Sequence, residues 1–338
     1  MELKKLAGIF LILLFLGVST AVFLYLDLMK FADYPSNPDQ SITAIVVIKP
    51  GQQFKTIPAH LHRLGILKKP FKFGIYARIK HLDKRIKAGE YLLSSVMSPK
   101  EILHKFVSGK VRQYKVTLPE GYSLNQIAVV IAGAGLTTKE AFMKAVYDSD
   151  LVHSFGINAD SFEGYLFPDT YYFSKGMTVE KIISAMVDRF QSQFKSEWKQ
   201  QAEKIGFSIH ESVTLASIIE KETGAPFERP VISSVFHNRL KKKMRLESDP
   251  TVIYGIEGFD GNITREHLNT QTPYNTYRKR GLPPGPIANP GSAAIEAALY
   301  PDDTSFLFFV SKKDGTHKFS TTISEHNRAV RKYQLRKR

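Results

Sequence analysis

An uncharged, apolar run near the N-terminus constrains this chain more than any other feature of its sequence. Residues Leu6 to Leu26 carry no charged side chain and are mostly Leu, Ile, Phe, Val and Ala. At about 1.5 Å per residue, a helix of that length spans the bilayer's hydrocarbon core of about 30 Å. A cleaved signal peptide usually has a shorter apolar region that ends in small residues, whereas this run ends in Val22 to Leu26. We therefore expect a retained transmembrane anchor.

The charges on either side of the run set its expected orientation. Lys4 and Lys5 precede it, whereas Asp27, Lys30 and Asp33 follow it without a basic excess. The positive-inside rule then places the short N-terminal tail in the cytoplasm and the rest of the chain outside it.

The composition narrows the classes of function. A formal net charge of +15 suits a nucleic-acid binder, a protein beside an anionic membrane, or a binder of an anionic polymer. The expected orientation disfavours nucleic acid as a partner. The absence of cysteine excludes disulfides, cysteine nucleophiles and thiolate metal sites. The ten histidines are scattered and form no HExxH motif, so we expect no catalytic metal.

The sequence divides into four segments: tail and anchor (1–29), linker (30–41), a small α+β module (42–135) and a larger domain (136–338). Within the module, Ile45–Gly51 and Tyr114–Gly121 share one pattern, a strand followed by Pro, Gly and a helix. Such units resemble LysM modules, which bind GlcNAc-containing polymers. Strand–turn–helix units are also common in any α+β protein, and one repeated pair leaves both interpretations open.

Helical periodicity dominates the larger domain. The predicted helices cover 138–148, 179–205, 211–223 and 231–242, and short strands follow at 305–310 and 318–320. The segment from Asp249 to Gly291 reads as a long irregular stretch, and ordered stretches of that kind are usually functional. The predicted fold class is α+β, with an N-terminal transmembrane helix, a LysM-like α/β module and a mixed α+β domain rich in helices and ordered loops.

Two carboxylates at the end of one predicted helix are the first candidates for chemistry. Leu215–Thr223 is amphipathic, and at about 100° per residue both Glu220 and Glu222 lie at or within its apolar stripe. A carboxyl group against an apolar wall has a raised pKa and can donate a proton near neutrality. Both could equally be surface glutamates in a last helical turn. The periodicity does not choose between them.

Three loops are the other candidates. Phe162–Phe173 is dense in aromatic residues and contains Glu163 and Asp169, a combination that suits a carbohydrate site or a structural turn. The other two loops are Arg245–Gly255, and Tyr274–Tyr277 followed by the Pro- and Gly-rich Gly281–Gly291. Their rigidity could preorganise a groove or simply hold the fold.

Several of these segments resemble the MltG (YceG-like) endolytic murein transglycosylases. The matching stretches are 163–171, 215–223, 235–240, 244–246, 248–255, 274–277 and 281–287. The resemblance implies that the first of the two carboxylates, Glu220, is the catalytic acid and base, with Glu222 as support. Ala225–Arg229 departs from the family pattern in its first residues, which puts that local loop in doubt.

The resemblance also implies an activity. It is endolytic cleavage of the β-1,4 bond between MurNAc and GlcNAc, which leaves 1,6-anhydroMurNAc ends and terminates nascent strands without a metal or cofactor. Supporting roles are expected for Glu163, Ser248, Asp249, Tyr274, Asn275 and Tyr277. The implied place is the bacterial inner membrane, with the catalytic domain 136–338 periplasmic and with glycan strands and peptidoglycan synthases as partners.

Two other functions fit the same residues. A non-catalytic scaffold could bind peptidoglycan and position wall synthases, as the LysM-like pattern and basic charge permit. A muramidase could deliver water, with Glu220 as acid and Glu163, Asp169 or Asp249 as base.

Overall fold

The computed structural model describes residues 2–335, which form two compact units. The chain up to Tyr114, together with Ser174–Gly176, forms unit 1. Lys115–Phe173 and the chain from Met177 onward form unit 2. Each unit has its own hydrophobic core.

Unit 1 contains four helices and a two-stranded sheet. They are α1 (Glu2–Asp33), β1 (Thr43–Ile48), α2 (Ile57–Arg63), α3 (Pro70–Ile79), β2 (Gly89–Ser94) and α4 (Pro99–Ser108), with a 3-10 turn at Phe54–Thr56. The strands are antiparallel, with Val46 opposite Tyr91, and they bury one face beneath the helices. The ring of Tyr91 meets Phe106 edge-on at 4.8 Å between centroids, which ties the sheet to α4.

Helix α1 is the one helix among residues 2–335 that is long and apolar enough to cross a membrane. Its apolar side chains from Leu6 to Leu26 are largely exposed, as expected of a lipid-facing span. Near its C-terminus, Leu28 and Ala32 are buried in the core of unit 1. The helix therefore continues to Asp33, and the predicted linker at 30–41 begins as helix because its first turn packs against folded structure.

Unit 2 is mostly helical, with two small sheets. Its elements are β3 (Tyr114–Thr117), α5 (Leu124–Gly133), α6 (Lys139–Val146), α7 (Ser149–Ser154), β4 (Thr170–Phe173), α8 (Val179–Gln193), α9 (Ser196–Lys204), α10 (Ile209–Glu222), α11 (Arg229–Lys241), α12 (Asp249–Tyr254), α13 (Arg265–Asn269), α14 (Ser292–Leu299), β5 (Phe308–Ser311), β6 (His317–Ser320) and α15 (Ile323–Val330). A 3-10 turn at Pro226–Glu228 precedes α11, and a π-helical turn at Arg331–Leu335 follows α15. β3 pairs with β4, and β5 pairs antiparallel with β6.

Helix α10 is the centre of this unit. A capping box between Ser208 and Glu211 begins it, and every residue from Ser212 to Ile219 is buried. The helix packs against α14, whose small residues permit a close approach, and against α11. The sequence predicted a helix with one apolar face, whereas this part of α10 is buried on all its faces. The Ser217 hydroxyl is satisfied within the core, since it donates to the Thr214 carbonyl (2.7 Å) and accepts from the Ile287 N–H (3.0 Å).

Three sequence expectations meet a different arrangement. The helix expected over 179–205 is two helices, because Phe194 leaves the helical conformation and turns its ring into the core beside Trp198. The stretch 249–291 contains α12 and α13. The N-terminal part of unit 1 extends to Tyr114, whereas the predicted module extends to 135, so most of the second strand–turn–helix pattern belongs to unit 2. The mixed α+β fold class is confirmed.

Candidate active site

Glu220 lies in the last turn of α10, and both of its carboxylate oxygens have a donor. Arg229, at the start of α11, donates from Nη2 to Glu220 Oε1 at 3.2 Å. The backbone N–H of Gly291, just before α14, donates to Oε2 at 3.1 Å. The Glu220 side chain is 8% exposed. A cation and a helix N-terminus thus face a largely enclosed carboxylate, and both stabilise its negative charge.

A second carboxylate, Glu120, reaches the same guanidinium. Its Oε2 lies 3.6 Å from Arg229 Nη2, and its side chain is 49% exposed. A Cβ atom on Gly291 would lie 1.9 Å from Glu120 Oε1, so the absence of a side chain there makes room for the carboxylate. Burial and then the charge of Glu220 raise the pKa of Glu120, and Arg229 opposes them.

Two loops hold Glu120 in place. Tyr122 and Asn289 form an antiparallel bridge, in which the Asn289 N–H donates to the Tyr122 carbonyl at 2.9 Å. The Gly121 N–H donates to the Asn289 carbonyl, also at 2.9 Å. Gly121 adopts a φ of 73°, which favours glycine, and its missing Cβ would lie 3.4 Å from Glu220 Cγ. The Pro-Glu-Gly turn is therefore packed directly against the candidate acid.

Glu163 is a third carboxyl group, buried behind these loops at 2% exposure. It accepts hydrogen bonds from the Leu124 N–H at the start of α5 (3.2 Å), Asn289 Nδ2 (3.0 Å) and the Tyr254 hydroxyl (3.1 Å). Burial raises the pKa of Glu163 to about 8 against these three donors. Glu163 thus connects α5, α12 and the Asn289 loop from inside the fold.

Glu222 faces a different loop. The Ser248 hydroxyl donates to Glu222 Oε1 at 2.6 Å. Burial raises the pKa of Glu222 to about 7, the charge of Asp249 adds to the shift, and the Ser248 hydrogen bond and Arg239 oppose it. The Tyr277 hydroxyl donates to Asp249 Oδ1 at 2.7 Å, which joins four of the sequence-predicted residues in one cluster.

Hydrogen bonds of buried groups hold the loops around this cluster in place. The Ser248 N–H donates to Thr276 Oγ1 at 3.0 Å, and the buried guanidinium of Arg239 donates from Nη1 to the Leu246 carbonyl at 2.8 Å. Asn275 is fully buried, and its amide donates to the Thr270 carbonyl at 2.7 Å at the end of α13. Asn275 therefore fixes the loop's path.

Tyr274 packs against Tyr254 with 4.7 Å between ring centroids. Burial raises the pKa of Tyr274 to about 12, so the phenol stays neutral. Asp169 pairs with Arg189 at 2.6 Å, which commits it to an ion pair between its loop and α8.

The structure thus sorts the predicted residues into three neighbouring groups. Glu220 stands with Arg229 and Gly291, Glu222 stands with Ser248, Asp249 and Tyr277, and Glu163, Tyr274 and Asn275 support the loops. Residue-level reasoning missed Glu120 and Arg229. Arg229 lies in the segment whose first residues depart from the family pattern. The turn predicted at Gly121 gave no indication that Glu120 contacts Arg229. Among residues 2–335, no group of three or more His, Asp or Glu side chains is placed to hold a metal ion.

Known proteins resemble this chain over most of its length. A model of the YceG-like family matches residues 46–332. An endolytic murein transglycosylase of Bacillus subtilis (strain 168) is 35% identical over 315 residues, 88% of this chain and 87% of that protein. An endolytic murein transglycosylase of Streptococcus pneumoniae (strain D39) is 30% identical over 320 residues, 84% of this chain and 57% of that protein. The 2.6 Å crystal structure of a YceG-like protein from Listeria monocytogenes matches with a TM-score of 0.60 and 34% identity, over 85% of this chain and 98% of that one.

Proposed function

The chain belongs to the YceG-like family, and we propose that it is an endolytic peptidoglycan lytic transglycosylase in which Glu220 is the acid and base. The observation that carries the residue assignment is the pair of donors on Glu220. Arg229 and the Gly291 N–H each serve one oxygen of a carboxylate at the end of a buried helix. Such a group is held in one orientation, and its charged form is stabilised once the proton has left.

The reaction needs one proton donor that later becomes a base. Protonated Glu220 donates to the glycosidic oxygen between MurNAc and GlcNAc, and the bond from that oxygen to C1 breaks. The C6 hydroxyl of the same MurNAc attacks C1, and its proton returns to the Glu220 carboxylate. The products are a GlcNAc hydroxyl end and a 1,6-anhydroMurNAc end, and no water is consumed. The attack is intramolecular, so proximity supplies much of the acceleration.

The positions of the alternative bases favour this route over hydrolysis. Glu163 is 2% exposed, Asp169 is paired with Arg189, and Asp249 accepts from Tyr277. Each of the three is thus either buried or already engaged by a neighbouring side chain. Glu222, Ser248, Asp249 and Tyr277 are proposed to contact the substrate beside Glu220 and to stabilise oxocarbenium-like charge, while Tyr274, Asn275 and Glu163 hold the surrounding loops.

The N-terminal helix suggests where the enzyme works. We propose that α1 is a single-pass anchor with the N-terminus in the cytoplasm and the catalytic unit outside. Nascent glycan strands at the membrane would be the substrate, and peptidoglycan synthases would be natural neighbours. A reporter fused to the C-terminus tests this orientation, since a cytoplasmic signal would contradict it.

The central test is Glu220→Gln with product mass analysis on purified glycan strands. Gln keeps the shape but carries no transferable proton, so we expect loss of anhydro-ended products by at least about 10³-fold. Glu203→Gln, at an exposed position on α9, is the matched control and should leave the rate unchanged. Wild-type-like cleavage by Glu220→Gln would refute the assignment. Reducing ends from the wild type would favour a muramidase, and no cleavage at all would favour a scaffold.

A further inference from the structure

One nitrogen of Arg229 serves two carboxylates. Nη2 lies 3.2 Å from Glu220 and 3.6 Å from Glu120, while the Arg229 side chain is 14% exposed. A single positive charge therefore faces two acidic groups in a partly enclosed place. Protonation of either carboxylate then affects the other, because their charges interact through a short distance.

This sharing matters for an acid catalyst. When a carboxylate is the one anionic partner of a cation, its charged form is strongly favoured, and the group is a poor proton donor. A neighbouring carboxylate opposes that effect, since its negative charge favours protonation of the first. The wild-type site contains both influences, which suits a group that must first donate a proton and then accept one.

We propose that Glu120 is a positioning residue for Glu220: it shares the Arg229 guanidinium and so keeps Glu220 able to carry the proton that it donates. This inference rests on the proposed function of Glu220 as acid and base. Glu120 acts through Arg229 and through its own charge, and no contact with substrate is required of it.

The surrounding loops support a role for this geometry. Gly291 serves both carboxylates, because its N–H donates to Glu220 and its missing side chain leaves room for Glu120. Gly121, next to Glu120, packs against Glu220 Cγ. The same two loops therefore hold Glu120 beside Glu220, although Glu120 itself is half exposed and contributes little to the core.

The other charged groups near the pair are few among the described residues. From α10, Lys221 donates from Nζ to the Gly121 carbonyl at 3.3 Å, and Glu222 faces the Ser248 loop. Before α11, Glu228 is engaged by His317, whose Nδ1 lies 2.7 Å from Glu228 Oε2. The Asn289–Gly291 loop contributes no charge. Among the described residues, Arg229 is the cation that lies within ion-pair distance of both Glu220 and Glu120.

The test is the pH–rate profile of Glu120→Gln, measured on the full-length protein in detergent by initial rates of anhydro-end formation. Gln keeps the size of the side chain but removes its charge, so Glu220 becomes the one carboxylate that pairs with Arg229. The protonated form of Glu220 is then lost at lower pH, so the alkaline limb of kcat should move to lower pH. We expect a loss of about tenfold at pH 7.5, recovery toward the wild-type rate on the acid side, and little change in KM.

Two further variants separate charge from structure. Glu120→Asp retains the charge and should keep the limb near its wild-type position. Gly291→Ala puts a methyl group where the Glu120 carboxylate lies, and by displacing it should reproduce the acidward shift. This second variant keeps the idea testable if Glu120→Gln does not fold. A Glu120→Gln profile that superimposes on the wild type, or equal losses for Gln and Asp at every pH, would overturn the proposal.

These results are distinguishable from failure of the main assignment. If Glu220→Gln retains full activity, the acid/base role of Glu220 is wrong, whatever Glu120 does. If Glu220→Gln is inactive while Glu120→Gln leaves the profile unshifted, Glu220 keeps its role and Glu120 loses the one proposed here.

Discussion

Glu220 and Glu222 end the same helix, yet their surroundings differ. Two residues along an α-helix place side chains about 200° apart, so the two carboxylates face different loops. Glu220 meets the cation of Arg229 and a backbone N–H. Glu222 meets the neutral hydroxyl of Ser248, with the charge of Asp249 nearby. Identical side chains in one helical turn thus receive different electrostatic roles from the loops that cover them.

The difference underlies the proposal that Glu220, and not Glu222, is the catalytic acid. Burial and Asp249 raise the pKa of Glu222 to about 7, with Ser248 as its hydrogen-bond donor. Glu220 has a charged partner and a backbone N–H at a helix N-terminus, and both favour a negative charge on its carboxylate. The comparison predicts that Glu220 is the acid and base and that Glu222 has a supporting role beside it. Four substitutions can break or sharpen it.

The largest effect is expected from Arg229→Met, which removes the cation from the Glu220 side. Two carboxylates would then face each other without a positive charge, so one of them would retain its proton and the base step would suffer. We expect a loss of kcat of about 10³-fold, and an alkaline limb shifted to higher pH, opposite to Glu120→Gln. Arg63→Met, at an exposed position on α2, is the control. An unchanged kcat would mean that the cation does not distinguish the two glutamates.

The next effect concerns stability and Glu163, the buried carboxyl behind the Glu220 side. Its pKa of about 8 exceeds the ordinary value of 4.5, so between those pH values the native state binds more protons than the unfolded chain. Stability must therefore fall as pH rises through that window. Glu163→Gln removes the titration. We expect the decline between pH 5 and pH 8 to shrink by about 2 kcal/mol in denaturant melts, which is below the linkage maximum of about 4 kcal/mol over these three pH units (about 1.4 kcal/mol per unit).

Glu203→Gln serves again as the matched control and should leave the pH dependence of unfolding intact. If Glu163→Gln is instead equally destabilised at every pH, the side chain acts as a charged hydrogen-bond acceptor throughout. In that case the three donors, which lower the pKa of Glu163, would outweigh burial, which raises it. Glu163 would then be a carboxylate stabilised by its donors, as we describe for Glu220.

The sequence allowed parts of this picture to be predicted for local reasons. Helix α10 could be placed within about two residues because its periodicity is local, and the capping box at Ser208 explains its start. The family followed from ordered motifs and is confirmed. Glu120 could not be found this way, because its contact with Arg229 depends on how two distant loops pair. The burial of α10 on all sides also depends on α11 and α14, which no single segment encodes.

Glu222→Gln is expected to have a smaller, pH-dependent effect. Gln resembles protonated Glu222, and with a pKa of about 7 the wild-type residue is already mostly protonated at pH 6. The variant should therefore match the wild type at pH 6 and lose about tenfold in kcat at pH 8, where the wild type carries the charge that we propose stabilises oxocarbenium-like character. Rate measurements at the two pH values decide. A loss as large as that of Glu220→Gln at both would exchange the two assignments.

The smallest effect is expected from Tyr277→Phe, at the outer edge of the Glu222 side. The hydroxyl donates to Asp249 at 2.7 Å, while Asp249 itself is exposed and can be hydrated instead. Loss of this hydrogen bond should therefore change kcat by only about twofold, since an exposed carboxylate recovers most of it from water. The ring remains, so KM should stay constant if sugar stacks on it. Tyr172→Phe, at an exposed position on β4, is the control, and a tenfold loss in Tyr277→Phe alone would mean that the hydroxyl binds substrate directly.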